Sequence, residues 1–201
     1  VKKIAQTGEY KRIPVCKELY ADCFTPIEVM RTLRAASKHC YLLESAEDNQ
    51  RWGRYSFLGY APTLELTCSD GCLRIRYGSE EEIEREEQYQ VNHPGEKIRE
   101  ILKNYRSPKI KGMPPFTGGL VGYFSYDYIR YAEPTLKTSE TPDETFCDVD
   151  FMLFDKVIVF DHYRQKLILI AGVSTEEMEE SYQMAQKEID QMEHLLKSGA
   201  K

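Results

Sequence analysis

Apolar residues recur at helical spacing in the segment TPIEVMRTLRAASK. Thr25 with Glu28 three residues later forms a capping-box pair, and Pro26 falls at the first helical position. The pattern therefore predicts a helix that begins after Thr25. The apolar side of this helix is predicted to consist of Ile27, Met30 and Leu33.

Two later segments also show helical spacing. The segment HPGEKIREILKNY is predicted to be a helix with one apolar face, formed by Ile98, Ile101, Leu102 and Tyr105. The segment STEEMEESYQMAQKEIDQMEHLLKSG predicts a long amphipathic helix that Ser174 and Glu177 cap and Gly199 ends. Its apolar stripe is predicted to contain Met178, Tyr182, Ala185, Ile189, Met192 and Leu196.

Shorter apolar runs predict β-strands. The run YKRIPVCKELY indicates an edge strand because it contains Pro14, and SDGC indicates a hairpin turn between TLELTCS and CLRIRYG. The stretch FCDVDFMLFDKVIVFDHYRQKLILIAGV is predicted to form three successive strands, broken at DK and HYRQK. Together these patterns predict an α+β fold, a largely antiparallel sheet packed with about three helices, with residues 1–201 as a single domain.

Two segments have unusual compositions. The acidic run SEEEIEREEQ is predicted to be a solvated surface loop or a frayed helix. The segment TGGLVGYFSYDYIRY opens a strand with Gly118, Gly119 and Gly122. We expect these glycines to let another backbone or a large ring approach closely, since a strand glycine often marks such a contact, and a ligand contact is the alternative.

Composition narrows the class of protein. The chain has 201 residues, is 41% hydrophobic and 30% charged, and carries a net charge of -6. This charge argues against a nucleic-acid partner, because phosphate binding needs a basic face. No apolar run is long enough to cross a membrane, and VKKIAQTGEY lacks the apolar core of a signal peptide. Six scattered cysteines predict free thiols in a reducing cytoplasm.

Catalytic motifs are scarce. There is no Gly-rich phosphate loop and no nucleophile elbow, and the four histidines are far apart and expected at the surface. Asp148 and Asp150 share a strand face by their spacing, which fits either a cation site or, more simply, the wet side of an antiparallel sheet. The sequence therefore predicts no catalytic residue and no metal ligand in this chain.

The most informative stretch is YLLESAEDNQRWGRYSFLGYAP, in which an apolar run ends abruptly on Glu44 and Ser45. Ser45 could serve a turn, and Glu44 could form a salt bridge with Arg54 across the loop. The third alternative is a pocket for a small zwitterion, in which Glu44 takes an ammonium group and Ser45 adds a hydroxyl contact.

Three segments together resemble anthranilate synthase component I. They are LLES followed by Ser56 within GRYSFLG, the block PPFTGGLVGYFSYD, and the strand pair DVDFMLFDKVIVFDH. The resemblance covers nearly the whole chain but only the N-terminal part of that enzyme. Aminodeoxychorismate synthase component I shares the architecture and stays an alternative.

The resemblance implies a function and a site. In that family the first block lines an allosteric pocket for L-tryptophan, so Ser45 is the first expected contact, Glu44 and Ser56 follow, and Arg54 is the weakest candidate. It also implies a parent lyase that converts chorismate and ammonia to anthranilate and pyruvate. The ammonia would come from a glutamine amidotransferase subunit, component II.

The same resemblance places the chorismate and Mg²⁺ sites in the C-terminal half of the enzyme. This part is therefore expected to lack a cofactor of its own and to be inactive alone. A stand-alone amino-acid-binding module and a plain α+β scaffold remain open as alternatives from other functional classes.

Overall fold

The computed structural model describes residues 2–44, 53–133, 135–136 and 146–199. Its strands are β1 Arg12–Tyr20, β2 Cys40–Glu44, β3 Tyr55–Tyr60, β4 Leu64–Ser69, β5 Cys72–Gly78, β6 Ile83–Gln90, β7 Gly119–Phe124, β8 Val149–Phe154, β9 Lys156–Asp161 and β10 Lys166–Ser174. Its α-helices are α1 Lys2–Ala5, α2 Pro26–Ala36, α3 Pro94–Asn104, α4 Ile129–Ala132 and α5 Met178–Ser198. A 3₁₀ turn at Tyr126–Tyr128 precedes α4. None of the helices in this described part is long and apolar enough to span a membrane.

The strands form two antiparallel five-stranded sheets, and the longer helices are α2, α3 and α5. The predicted α+β class is confirmed. The chain divides into two compact units, the second of which spans Pro62–Lys103 and Leu120–Leu153. The first unit holds the remaining described residues. The prediction of one domain over residues 1–201 stays a prediction, since a division into compact units does not test cooperative folding.

The first unit contains the sheet ordered β1-β10-β9-β3-β2, with α2 and α5 packed against it. Pro14 lies in the edge strand β1, as predicted, where a missing N–H costs no ladder hydrogen bond. A cluster of buried apolar residues lies between this sheet and the two helices. It contains Val29, Leu33, Leu58, Ile158, Phe160, Leu167, Leu169, Ala171, Val173, Ala185, Ile189, Met192 and Leu196.

The start of α2 follows the sequence prediction, and its buried face follows it in part: Leu33 is buried and Met30 packs against the core, but Ile27 does not. The Thr25 hydroxyl accepts a hydrogen bond from the Glu28 backbone N–H at 3.3 Å and donates to Glu28 Oε2 at 3.0 Å. The buried residues of α2 are Val29, Thr32 and Leu33, whereas Ile27 is 53% exposed. Val29 and Leu33 are four residues apart, so they share a face that Ile27 does not reach.

The long helix α5 confirms most of its predicted stripe. Ala185, Ile189, Met192 and Leu196 are buried, and Gly199 ends the helix with a positive φ of 70°. The predicted cap at Ser174 is wrong, because that residue is the last of β10.

The second unit contains the sheet ordered β6-β5-β4-β8-β7. The predicted hairpin is confirmed: Asp70 and Gly71 join β4 to β5 with φ values of 49° and 75°, as a tight two-residue turn requires. Of the predicted face of α3, Ile98 and Ile101 are buried, and Leu102 is 43% exposed.

The acidic run lies at the surface, as predicted, but from Ile83 it forms the edge strand β6 rather than a loop or a helix. Glu86 of β6 forms cross-strand ion pairs with Arg74 and Arg76 of β5. Sheet pairing thus overrides the weak β-propensity of glutamate, as context commonly does.

The three predicted strands after Cys147 are confirmed, but they divide between the two sheets. β8 belongs to the second unit, while β9 and β10 belong to the first. The structural interpretation of the glycines is confirmed at Gly122, where an added Cβ would collide with the backbone of Asp150.

Candidate functional site

The end of β2 lies directly beside the start of β3. Glu44 and Ser56 are opposite each other in the antiparallel register, and the Ser56 hydroxyl donates to Glu44 Oε1 at 3.3 Å. Ser56 is only 2% exposed, whereas Glu44 is exposed. The polar end of β2 therefore reaches solvent at Glu44, although its neighbour across the ladder is buried. The Glu44 carboxylate is held at one oxygen and open to solvent.

A histidine that the sequence analysis did not select completes this group. His162 Nε2 lies 2.7 Å from the Ser56 hydroxyl, and its ring stacks on Phe160 at 6.1 Å between ring centroids. The position at the surface was expected, but the contact was not. Ser56 of β3 pairs with Phe160 of β9, and this register brings Ser56 close to His162, two residues after Phe160. A single sequence does not show the register of two distant strands.

Arg54 is bound to a different carboxylate. Its Nε donates to Asp161 Oδ1 at 2.9 Å, and its Nη2 donates to Asp161 Oδ2 at 2.6 Å. The structure thus directs Arg54 to Asp161, so among the described residues the alternative of a Glu44–Arg54 salt bridge is not realised. Such bidentate pairs are among the stronger charged hydrogen bonds.

The electrostatics of Asp161 follow from this pairing. Burial alone would raise the pKa of Asp161, but hydrogen bonds from Arg54 and from the Arg164 backbone N–H hold that pKa below its ordinary value. The Arg54 guanidinium also lies over the rings of Tyr55 and Tyr163, at 4.8 and 5.5 Å from their centroids. These contacts hold the Arg54 side chain in one position beside Asp161.

Ser45, the first expected ligand contact, lies outside the described residues, as do residues 46–52. The structure brings Glu44 and Ser56 together and places Arg54 in the turn directly before β3, bound to Asp161. Ligand-binding roles for all four residues stay predictions.

Glu44 and Ser56 can bind a ligand through hydrogen bonds and charge pairing. A carboxylate has two acceptor oxygens, so Ser56 on Oε1 leaves Oε2 of Glu44 for a second donor such as an ammonium group. Among the described residues no three His, Cys, Asp or Glu side chains cluster as metal ligands.

A second polar cluster, in the second unit, joins elements of the fold. Asp148 Oδ2 accepts hydrogen bonds from Arg130 at 2.6 Å, Tyr131 at 2.7 Å and the Asp70 backbone N–H at 2.9 Å. Asp148 is 6% exposed, so its predicted place on a wet sheet face is wrong. Its three donors satisfy a buried carboxylate and tie α4 to the β4–β5 turn, which indicates a structural role.

Comparison with known proteins identifies the family. The family model for chorismate binding enzymes matches residues 38–200. Anthranilate synthase component 1 of Acinetobacter calcoaceticus is 36% identical over 195 residues, which are 95% of this chain and 38% of that relative. The corresponding protein of Pseudomonas aeruginosa is 35% identical over 191 residues, covering 94% of this chain and 37% of that relative.

A solved structure shows the same fold. The crystal structure of anthranilate synthase component I from Streptococcus pneumoniae superposes with a TM-score of 0.55 at 24% identity. The match covers 89% of this chain and 36% of that one. The chain thus spans little more than a third of the length of these relatives, and it belongs to the chorismate-binding enzyme family as an anthranilate synthase component 1-like protein.

Proposed function

We propose that this chain is the N-terminal regulatory part of an anthranilate synthase component I and that it carries a feedback site for L-tryptophan. The observation that carries the proposal is the pairing of Glu44 with Ser56 where β2 ends. An exposed carboxylate is held there by a buried hydroxyl, beside Ser45 in the sequence. A free amino acid presents an ammonium group that suits such a carboxylate.

The proposed parent enzyme is a cytoplasmic lyase of tryptophan biosynthesis. It converts chorismate and ammonia to anthranilate and pyruvate, with the ammonia supplied by component II, a glutamine amidotransferase subunit. Both relatives described above are anthranilate synthases, which supports this reaction. Their similarity extends over 95% and 94% of this chain, which supports assigning the same reaction to its parent enzyme.

The proposal places Mg²⁺ in the C-terminal half of the full enzyme. The described residues offer no cluster of acidic side chains that fits a magnesium ion. The role proposed for the residues of this chain is to bind an amino acid that regulates the enzyme.

Feedback in this proposal works by differential affinity. A ligand shifts an equilibrium only by as much as it binds one state better than another. Tryptophan held at Glu44 would inhibit the enzyme if its other contacts form in only one arrangement of the full protein.

The test uses the full-length enzyme with its glutaminase partner. Ser45→Phe is expected to abolish inhibition by tryptophan and to leave uninhibited turnover near normal, because a large ring would fill the proposed pocket. Ser69→Phe, at the exposed end of β4, is the control and should remain inhibited.

Two results would contradict the proposal. Unchanged inhibition of Ser45→Phe would remove Ser45 from the site. A product other than anthranilate, such as aminodeoxychorismate, would assign the parent enzyme to the folate pathway instead.

A further inference from the structure

The Ser56 hydroxyl has one proton and two neighbours. Glu44 Oε1 lies 3.3 Å away and His162 Nε2 lies 2.7 Å away. A carboxylate can only accept hydrogen bonds, so the Ser56 proton must point to Glu44 for that contact to exist. The Ser56 oxygen then has to accept from His162, which requires the proton on Nε2.

The opposite order breaks the chain of hydrogen bonds. If the His162 proton were on Nδ1, Nε2 would be an acceptor and would draw the Ser56 proton away from Glu44. The Glu44 oxygen would then face the lone pairs of Ser56 at 3.3 Å. Both contacts are hydrogen bonds in one order only: His162 donates to Ser56, and Ser56 donates to Glu44.

His162 is held in place for this role. Its backbone N–H donates to the Arg54 carbonyl at 2.9 Å, and its own carbonyl accepts from Gln165 at 3.0 Å. The imidazole ring lies nearly parallel to Phe160, with 14° between the planes, and Phe160 is only 3% exposed. Backbone and ring contacts both restrict where Nε2 can point.

We propose that His162 is a positioning residue of the amino-acid site: its Nε2–H fixes the Ser56 hydroxyl, which in turn fixes one oxygen of Glu44 and leaves the other for a ligand ammonium. This inference rests on the proposed tryptophan site and extends it to a residue outside the LLES and GRYSFLG segments. Pre-organised acceptors bind a cation better, because less ordering is needed on binding.

The first measurement is the tautomer of His162, obtained from imidazole ¹⁵N resonances of the labelled protein without ligand. A ring protonated at Nε2 is expected. A neutral ring with its proton on Nδ1 would overturn the inference, whatever the protein binds.

The second measurement is equilibrium dialysis of L-tryptophan against the full-length protein and its variants. His162→Phe keeps a ring for Phe160 but has no donor, and we expect its Kd to rise about five- to tenfold, as for one lost hydrogen bond. His162→Gln offers an amide N–H and should bind within about twofold of the wild type. His194→Phe, on the exposed face of α5, should match the wild type.

The outcomes separate the two claims. Equal binding by His162→Phe and the wild type would overturn the positioning role while leaving the tryptophan site intact. A wild type that binds no tryptophan would contradict the proposed function, and the His162 tautomer would still decide the order of the hydrogen bonds.

Discussion

Arg54 and Asp161 form a two-pronged ion pair in which the carboxylate is 1% exposed and the guanidinium 35% exposed. The two partners therefore differ in what is left behind when the other is removed. Without Arg54, a buried carboxylate loses its charged partner. Without the Asp161 charge, Arg54 can still reach water.

This asymmetry predicts unequal losses of stability. Arg54→Ala is expected to lower the free energy of unfolding by about 2–4 kcal/mol, because an uncompensated buried charge is costly. Asp161→Asn should cost less, about 1–2 kcal/mol: the amide oxygen can still accept from Arg54 Nε and the Arg164 N–H, and the partly exposed Arg54 can turn Nη2 from the amide NH2 group to water. Urea unfolding at neutral pH compares them, and equal losses would contradict the burial argument.

The same pair predicts sensitivity to acid. The pKa of Asp161 is lower in the folded protein than its ordinary value, despite burial, because of the bonds from Arg54 and Arg164. Its contribution to stability is therefore fully present above the unfolded-state pKa of about 3.9 and is lost as the pH falls toward the lower folded-state pKa.

Urea unfolding at a series of pH values down to about 3 measures this loss. The Asp161→Asn variant should lose less stability than the wild type over the acid range, since it has no proton to gain at that position. Parallel curves for the two proteins would show that Asp161 does not contribute to acid unfolding.

Gly122 is predicted to be intolerant of a side chain. A Cβ there would collide with the backbone of Asp150, which cannot move without disturbing β8. We expect Gly122→Ala to cost about 2 kcal/mol or more in unfolding free energy. Gly172→Ala in β10 is the control, because the nearest atom to its added Cβ is 3.8 Å away, and it should be near neutral. Similar losses at both positions would contradict the close approach.

Two tyrosines form a matched pair for the energetics of buried hydroxyls. The Tyr41 hydroxyl is buried without a hydrogen-bond partner among the described residues, and burial raises its pKa. The Tyr131 hydroxyl donates to Asp148 at 2.7 Å and accepts from the Gly71 N–H at 2.8 Å.

Removing these two hydroxyls should therefore change the free energy of unfolding by different amounts. Tyr41→Phe is expected to be neutral or slightly stabilising, because no hydrogen bond is lost. Tyr131→Phe should lower the unfolding free energy by about 1–3 kcal/mol, since it leaves Gly71 N–H and one site of Asp148 unpaired. A larger loss for Tyr41→Phe than for Tyr131→Phe, measured by thermal or urea unfolding, would be inconsistent with this structure.

Features that depend on nearby residues were predictable from the sequence. The Thr25–Glu28 capping box, the Asp70–Gly71 turn and the Gly199 helix end each require particular residue types at fixed spacings. The α+β class follows from the sum of such signals.

Features that depend on pairing between distant segments were not predictable. The acidic residues around Glu86 form a strand only because β5 supplies Arg74 and Arg76 opposite them. His162 meets Ser56 only through the register of β9 with β3, across 106 residues of sequence. Asp148 is buried because Arg130 and Tyr131 reach it from α4. One sequence does not encode these partners in any local pattern.

The most direct test of the central claim is tryptophan binding by the full-length protein with and without the Glu44 carboxylate. Equilibrium dialysis with radiolabelled L-tryptophan should show saturable binding by the wild type and by the control Glu180→Gln, an exposed position on α5. Glu44→Gln should weaken binding by about tenfold or more, because a charge-assisted hydrogen bond becomes a neutral one. Equal affinity of Glu44→Gln and the wild type, or no binding by either, would contradict a tryptophan site at the end of β2.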